Sequence, residues 1–162
     1  MNVYLSINDI KKNNNCEIDL RDYIRYLYPK KNTIMDGEFT KILFSKEYVT
    51  MNGLYFFLPF LIDYKKSVEN SHIRFLMLHN KQNVQLVNDL KSIENNLLKN
   101  YSNYYRINKE YEYILAKQLS TNQIRVYHDH SNKHKKNKYV IKISGIWETS
   151  NKIGLTYKIL EL

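Results

Sequence analysis

The stretch from Gln82 to Tyr101 constrains this chain more than any other. Leu86, Leu90, Ile93, Leu97 and Tyr101 recur every three or four residues, Val87 and Leu98 widen the stripe, and Asn88, Lys91, Asn95 and Asn96 lie opposite. That period predicts one long amphipathic helix, about residues 83–100, packed on a sheet. The segments on either side of it read as strands. Phe39 to Ser45 alternates as a half-buried strand does, and His72 to His79 places Ile73, Phe75 and Met77 on one side. Tyr48 to Met51, Asn52-Gly53 and Leu54 to Phe57 predict a hairpin, because Asn-Gly supplies the positive φ angles of a two-residue turn. Pro59 then interrupts the returning strand or puts it at an edge.

Beyond the helix, Gln123 to Tyr127 predicts a short strand. Tyr139 to Glu148 and Ile153 to Leu160 predict a terminal hairpin around Thr149 to Lys152, with one solvated face. Gly145 and Gly154 fall inside these strands, where glycine marks a bulge or bend. Leu20 to Tyr28 predicts a short helix with Asp19 as its N-cap and Pro29 as its stop. Tyr101 to Asn108 and His128 to Lys138 read as loops, and Tyr111 to Leu119 fits either helix or strand. The order implies an α+β fold, mainly β: an OB-fold-like Greek-key barrel with one long helix between strands. An open α+β sheet would give the same string. Residues 1–38 read as an N-terminal extension whose short helix packs on the core, and residues 39–162 as the OB-like domain, one domain overall.

Charge narrows the partners. Lys and Arg number 25 against 16 acidic residues, a formal charge of +9 and a pI near 9.4. A polyanion is the partner such a balance favours, although a basic soluble surface with no polyanionic partner has the same arithmetic. The basic residues are mostly Lys, the polar ones largely Asn, and Ala116 is the sole alanine, as an AT-rich genome such as that of a virus, endosymbiont or parasite would give. Cys16 is the single cysteine, which excludes an intrachain disulfide and suits a reducing, intracellular compartment (host cytoplasm or nucleus for a viral protein). The polar start from Met1 to Asn15 has no signal-peptide character, and the longest apolar run, Leu54 to Ile62, is too short to span a bilayer.

Catalytic signatures are missing. Gly37, Gly53, Gly145 and Gly154 are too far apart for a phosphate loop or dinucleotide fingerprint. Cys16, between Asn15 and Glu17, has no neighbour that favours a thiolate. His128, His130 and His134 share their segment with Lys133, Lys135, Lys136 and Lys138, whose charge repels a metal, so a solvated basic loop is the preferred reading. The chain is thus expected to be a non-enzyme without cofactor or metal.

Single-strand binding needs cations along the backbone path and flat rings on which bases stack. Three segments supply both. The first holds Tyr23, Arg25, Tyr26, Tyr28, Lys30 and Lys31; the second Tyr104, Tyr105, Arg106 and Lys109. The third runs from Arg125 and Tyr127 through Lys133, Lys135, Lys136 and Lys138 to Tyr139. Any one of these tyrosines also suits a core, and Trp147 reads as hairpin packing.

Val140 to Glu148 (VIKISGIWE) followed by Ile153 to Lys158 (IGLTYK) resembles the ends of small OB-fold-like single-stranded DNA-binding proteins of large DNA viruses. The likeness extends, as a pattern, over about the last 125 residues, though only the C-terminal hairpin is distinctive. It implies a protein that coats single-stranded DNA in replication, repair or recombination, with no catalytic residues to transfer. The expected partners are single-stranded DNA or RNA, with a homo-oligomer and replication proteins as further possibilities and no membrane. The competing expectation is a viral structural or scaffold protein that binds other proteins.

Overall fold

A computed structural model describes residues 4–10, 19–69, 72–127 and 138–162. After one-turn 3-10 segments at Ile7–Ile10 and Arg21–Tyr23, the chain forms β1 (Ile24–Tyr26), β2 (Lys30–Lys31), β3 (Glu38–Lys46), β4 (Val49–Met51), β5 (Leu54–Leu58), β6 (Ile62–Glu69) and β7 (His72–Met77). Helix α1 (Lys81–Tyr105) follows, then β8 (Glu110–Glu112), α2 (Ile114–Leu119), β9 (Gln123–Tyr127), β10 (Tyr139–Glu148) and β11 (Lys152–Glu161). The fold is α+β and mainly β, a mixed sheet with one long and one short helix. Its main path runs β1-β3-β10-β11-β9-β7-β6, with β2 and β4 on β3, β5 on β10 and β8 on β11.

The terminal hairpin lies at the centre. β10 pairs β11 antiparallel from Tyr139↔Glu161 to Glu148↔Ile153, with a bulge between Ile143 and Gly145. On its other edge β10 first meets β5 (Tyr139 to Ile143) and, past the bulge, β3 (Gly145 to Glu148). The expected single solvated face is corrected here. Tyr139, Val140 and Ile141 are buried in succession, as are Gly145, Ile146 and Trp147, which leaves Lys142 and Ser144 as the half-exposed positions between them. Trp147 stands opposite Gly154, where a Cβ would lie 2.3 Å from the indole ring. The aromatic covers the backbone that glycine leaves bare. Gly154→Ala should therefore destabilise by about 1–3 kcal/mol through overpacking, read as a lower urea midpoint with an unchanged slope.

Three other expectations are corrected. The Asn52-Gly53 signal marks a real reversal, with Gly53 at φ 103°, yet β4 and β5 do not pair with each other. β4 turns back on β3 through Glu47 and Tyr48, and β5 crosses to β10, where Phe56 faces Ile141. Asn-Gly specifies a dihedral angle, not a partner. A Cβ at Gly53 would also press to 2.7 Å from the Ile143 carbonyl oxygen. The Leu20–Tyr28 helix is instead the Arg21–Tyr23 turn followed by β1. Asp19 accepts from the Arg21 backbone N–H at 3.1 Å, but Ile24, Arg25 and Tyr26 pair with Phe44, Leu43 and Ile42. Ile24 and Tyr26, either side of Arg25, suit a pleated strand, and Leu27 is exposed. Finally, α1 extends through the supposed loop to Tyr105 and stops at Arg106, whose left-handed φ of 55° lets its N–H reach the Ser102 carbonyl. Tyr101 and Tyr105, one turn apart, pack ring to ring at 4.8 Å and prolong the helix.

The predicted helix stripe faces inward, with Val87 only partly buried at its margin: Leu86, Leu90, Ile93, Leu97, Leu98 and Tyr101 join Leu20, Ile24, Phe56, Ile124, Ile141 and Ile159 in one core. A side-chain amide and a carboxylate latch it to its neighbours. Asn83, buried in the first turn, accepts from the Leu61 N–H and donates to the Leu61 and Leu78 carbonyls. Near the middle Glu94, fully buried, accepts from the Leu115 and Ala116 N–H groups at 2.9 and 2.8 Å, so α1 caps α2. The ambiguous Tyr111–Leu119 segment thereby resolves into a short strand and a capped helical turn.

Candidate nucleic-acid interface

In β5 and β9, around Arg74 in β7, and around Lys142 in β10 and Lys158 in β11, alternate residues fill the core and those between point away from it. On that outer face four cations fall into line. Arg74 of β7 is registered with Arg125 of β9. Lys158 of β11 stands one step before the Ile159↔Val126 pair, beside Arg125. Lys142 of β10 is directly opposite Lys158, and Tyr55 of β5 directly opposite Lys142. Neighbouring strands are about 4.8 Å apart, so the four cations span about 14 Å across the sheet.

Two tyrosines hold the row in place. The Lys142 ammonium lies 5.3 Å from the Tyr55 ring centroid. Lys158 and Arg125 lie 5.3 and 5.6 Å from that of Tyr127. Such contacts stabilise each cation by about 0.5–1 kcal/mol at exposed sites. They offset part of the repulsion that like charges exert when directly opposite. A cavity of about 330 Å³ beside Tyr127, lined in part by Ile34, Met35, Trp147 and Thr156, adds apolar ground next to the charge.

A second aromatic group gathers where β1 meets the end of α1. Tyr26 lies 5.4, 5.2 and 6.1 Å from Tyr101, Tyr104 and Tyr105. Tyr104 is 66 % exposed, whereas Tyr101 is fully buried. Tyr101 Oη donates to Glu148 Oε2 at 2.8 Å and, its one proton thus used, accepts from Thr40 Oγ1 at 2.9 Å. Burial pushes the phenols of Tyr26, Tyr101 and Tyr105 up, so they stay neutral.

The residues expected from sequence separate accordingly. Arg125 and Tyr127 are in the cation row; Arg25, Tyr26, Tyr104 and Tyr105 are in the tyrosine group. Tyr23 stacks on Phe44 at 5.9 Å with Lys46 above it, apart from both. Arg106 is exposed at the helix cap. Two assignments are corrected. Tyr139 is 3 % exposed and packs on Phe75, so no base can reach its ring. Lys109 is held at 2.6 Å by Glu148 and donates to the Thr149 carbonyl, a latch between the α1–β8 connection and the β10–β11 turn. Lys138 is exposed, while Lys133, Lys135, Lys136 and the three histidines near them lie outside the described residues.

Sequence reasoning missed Arg74, Lys142, Lys158 and Tyr55. The signal was the strand alternation itself: Lys142 and Lys158 are single cations between apolar neighbours, placed symmetrically in the two arms of a predicted hairpin. Among the described residues no group of three His, Cys, Asp or Glu side chains is arranged to hold a metal ion, and no helix is long and apolar enough to cross a membrane. No family model, curated protein or solved structure matches this chain.

Proposed function

We propose that this protein binds single-stranded nucleic acid on the outer face of its sheet, without catalysis, and serves DNA replication, repair or recombination. The carrying observation is the pairing of Lys142 with Lys158 in direct cross-strand register, extended by Arg125 and Arg74. A sheet gains nothing from facing two lysines at its centre; a phosphate backbone laid across them does. Tyr55 and Tyr127 supply rings of the kind on which bases stack regardless of sequence. DNA is the form that the C-terminal resemblance implies.

The OB-like reading belongs to the same proposal. It draws on β3 and β5 sharing one edge of β10 around a bulge, and on α1 entering between β7 and β9. A bulged sheet with one long helix between its strands offers an open face on which a strand can lie. Among the described residues the pairings form an open path from β1 to β6, so the likeness rests on strand order and helix position.

Fluorescence anisotropy with labelled oligo-dT of about 30 nucleotides tests this, because stacking and phosphate contact need no particular sequence. Binding should survive duplex competitor and weaken log-linearly with salt. Tyr127→Ala should weaken it by about 1–3 kcal/mol, the value of one stacked base. Equal affinity for single strand and duplex would leave only a generic basic surface.

A further inference from the structure

We propose that the groove between β1 and the C-terminal half of α1 is a separate pocket for a single nucleotide, with adenine the base its amides suit. The groove encloses about 600 Å³ and is lined by Arg21, Ile24, Arg25, Tyr26, Asn100, Asn103 and Tyr104. Ligand sites of small-molecule size fall in this range, roughly 300–1,000 Å³.

The helix supplies the recognition surface. Asn100, Asn103 and Tyr104 are spaced i, i+3 and i+4, which brings them onto one face. Asn100 Nδ2 donates to Asn96 Oδ1 at 2.9 Å, and the Asn103 carboxamide has no hydrogen-bond partner among the described residues. A carboxamide offers one acceptor and two donors in a plane, the pattern that meets the N6 and N7 edge of adenine. Tyr104 stands exposed beside it. Its ring is not loose, because Tyr26 and Tyr105 contact it at 5.2 and 4.9 Å. An oriented ring next to an amide suits a planar heterocycle.

Phosphate has one clear receptor. The exposed Arg25 guanidinium donates through Nη1 to the Ile24 carbonyl at 2.8 Å, which fixes the fork while leaving its other donors. Arg21 is already paired with Asp19 at 2.7 Å. Tyr26 Oη is buried with no hydrogen-bond partner, a polar atom the bare fold leaves unsatisfied. One cation, one ring and an amide face match a nucleoside monophosphate better than an acidic peptide, which would call for several cations and no stacking ring.

This site is independent of the cation row, and the two fail separately. The test is titration of the isotope-labelled full chain with AMP, followed by backbone amide shifts, with inorganic phosphate and hexaglutamate as comparison probes. AMP should give saturable shifts at Arg25, Tyr26, Asn100, Asn103 and Tyr104, and neither comparison probe should reproduce them. The double substitution Asn103→Ala with Tyr104→Ala, both at exposed positions, should weaken AMP at least tenfold. Replacing Lys142, Lys158 and Arg125 by Gln should leave AMP affinity within twofold. Absence of saturable shifts with AMP, the same shifts with phosphate or hexaglutamate alone, or an unaffected double variant would each overturn the pocket.

Discussion

Replacing Lys142, Lys158 and Arg125 together by Gln is expected to reduce single-strand affinity by roughly 100-fold or more near 50 mM salt, with little change in fold. Each phosphate neutralised on a single strand contributes about 0.7 to the slope of log K against log salt, so losing three should flatten it by about 2. The substitutions sit at exposed or half-exposed positions on the outer face, and Gln keeps the first part of the aliphatic stem that covers the sheet while removing the charge. Relief of the Lys142–Lys158 repulsion should leave stability unchanged or slightly higher. That combination separates a ligand-facing array from a structural one: a structural array would lose stability and binding together.

Glu94→Ala should produce the largest loss of stability, about 2–5 kcal/mol, because the N–H groups of buried Leu115 and half-buried Ala116 would each be left without an acceptor. α2 has no capping side chain of its own, since Tyr113 at its N-cap makes no such bond. Removing Glu94 should free α2 and the start of β9 behind it, visible as faster amide exchange from Ile114 to Leu119. The pH dependence has a definite sign. Burial raises the Glu94 pKa against the opposing pull of its backbone donors. A carboxyl whose pKa is raised on folding binds more protons in the native state than in the unfolded one. Its contribution to stability is therefore greatest at acid pH and declines as pH rises through the raised pKa. Measured by urea unfolding from acid to neutral pH, the stability difference between wild type and Glu94→Gln should shrink along that series. A difference that grows with pH would mean that the backbone donors outweigh burial.

Where one period governed a whole element, the sequence was transparent. The α1 stripe from Leu86 to Tyr101 is the buried face, and both arms of the terminal hairpin are present. Where a short segment had to choose a partner, it was not. Asn52-Gly53 announced a reversal but not that β5 would leave β4 for β10, since the choice depends on an apolar edge about 90 residues away. Leu20 to Tyr28 carried both periods, and pairing with β3 decided between them.

The candidate site was legible in kind and only partly in place. Aromatic-basic segments were visible, and Arg125 and Tyr127 do stand in the cation row. Tyr139 and Lys109 were misread because neither burial against Phe75 nor an ion pair with Glu148 leaves a mark in local sequence. Arg74, Lys142, Lys158 and Tyr55 come from four strands spread over more than half the chain. Only the register assembles them, and register is a property of the folded sheet.

The most direct measurement is a map of backbone amide shifts in the full chain as oligo-dT is added at low salt. The account predicts perturbations concentrated around Tyr55, Arg74, Arg125, Tyr127, Lys142 and Lys158, fading together as salt is raised. Perturbations confined to other surfaces, with these residues unmoved at saturation, would contradict it.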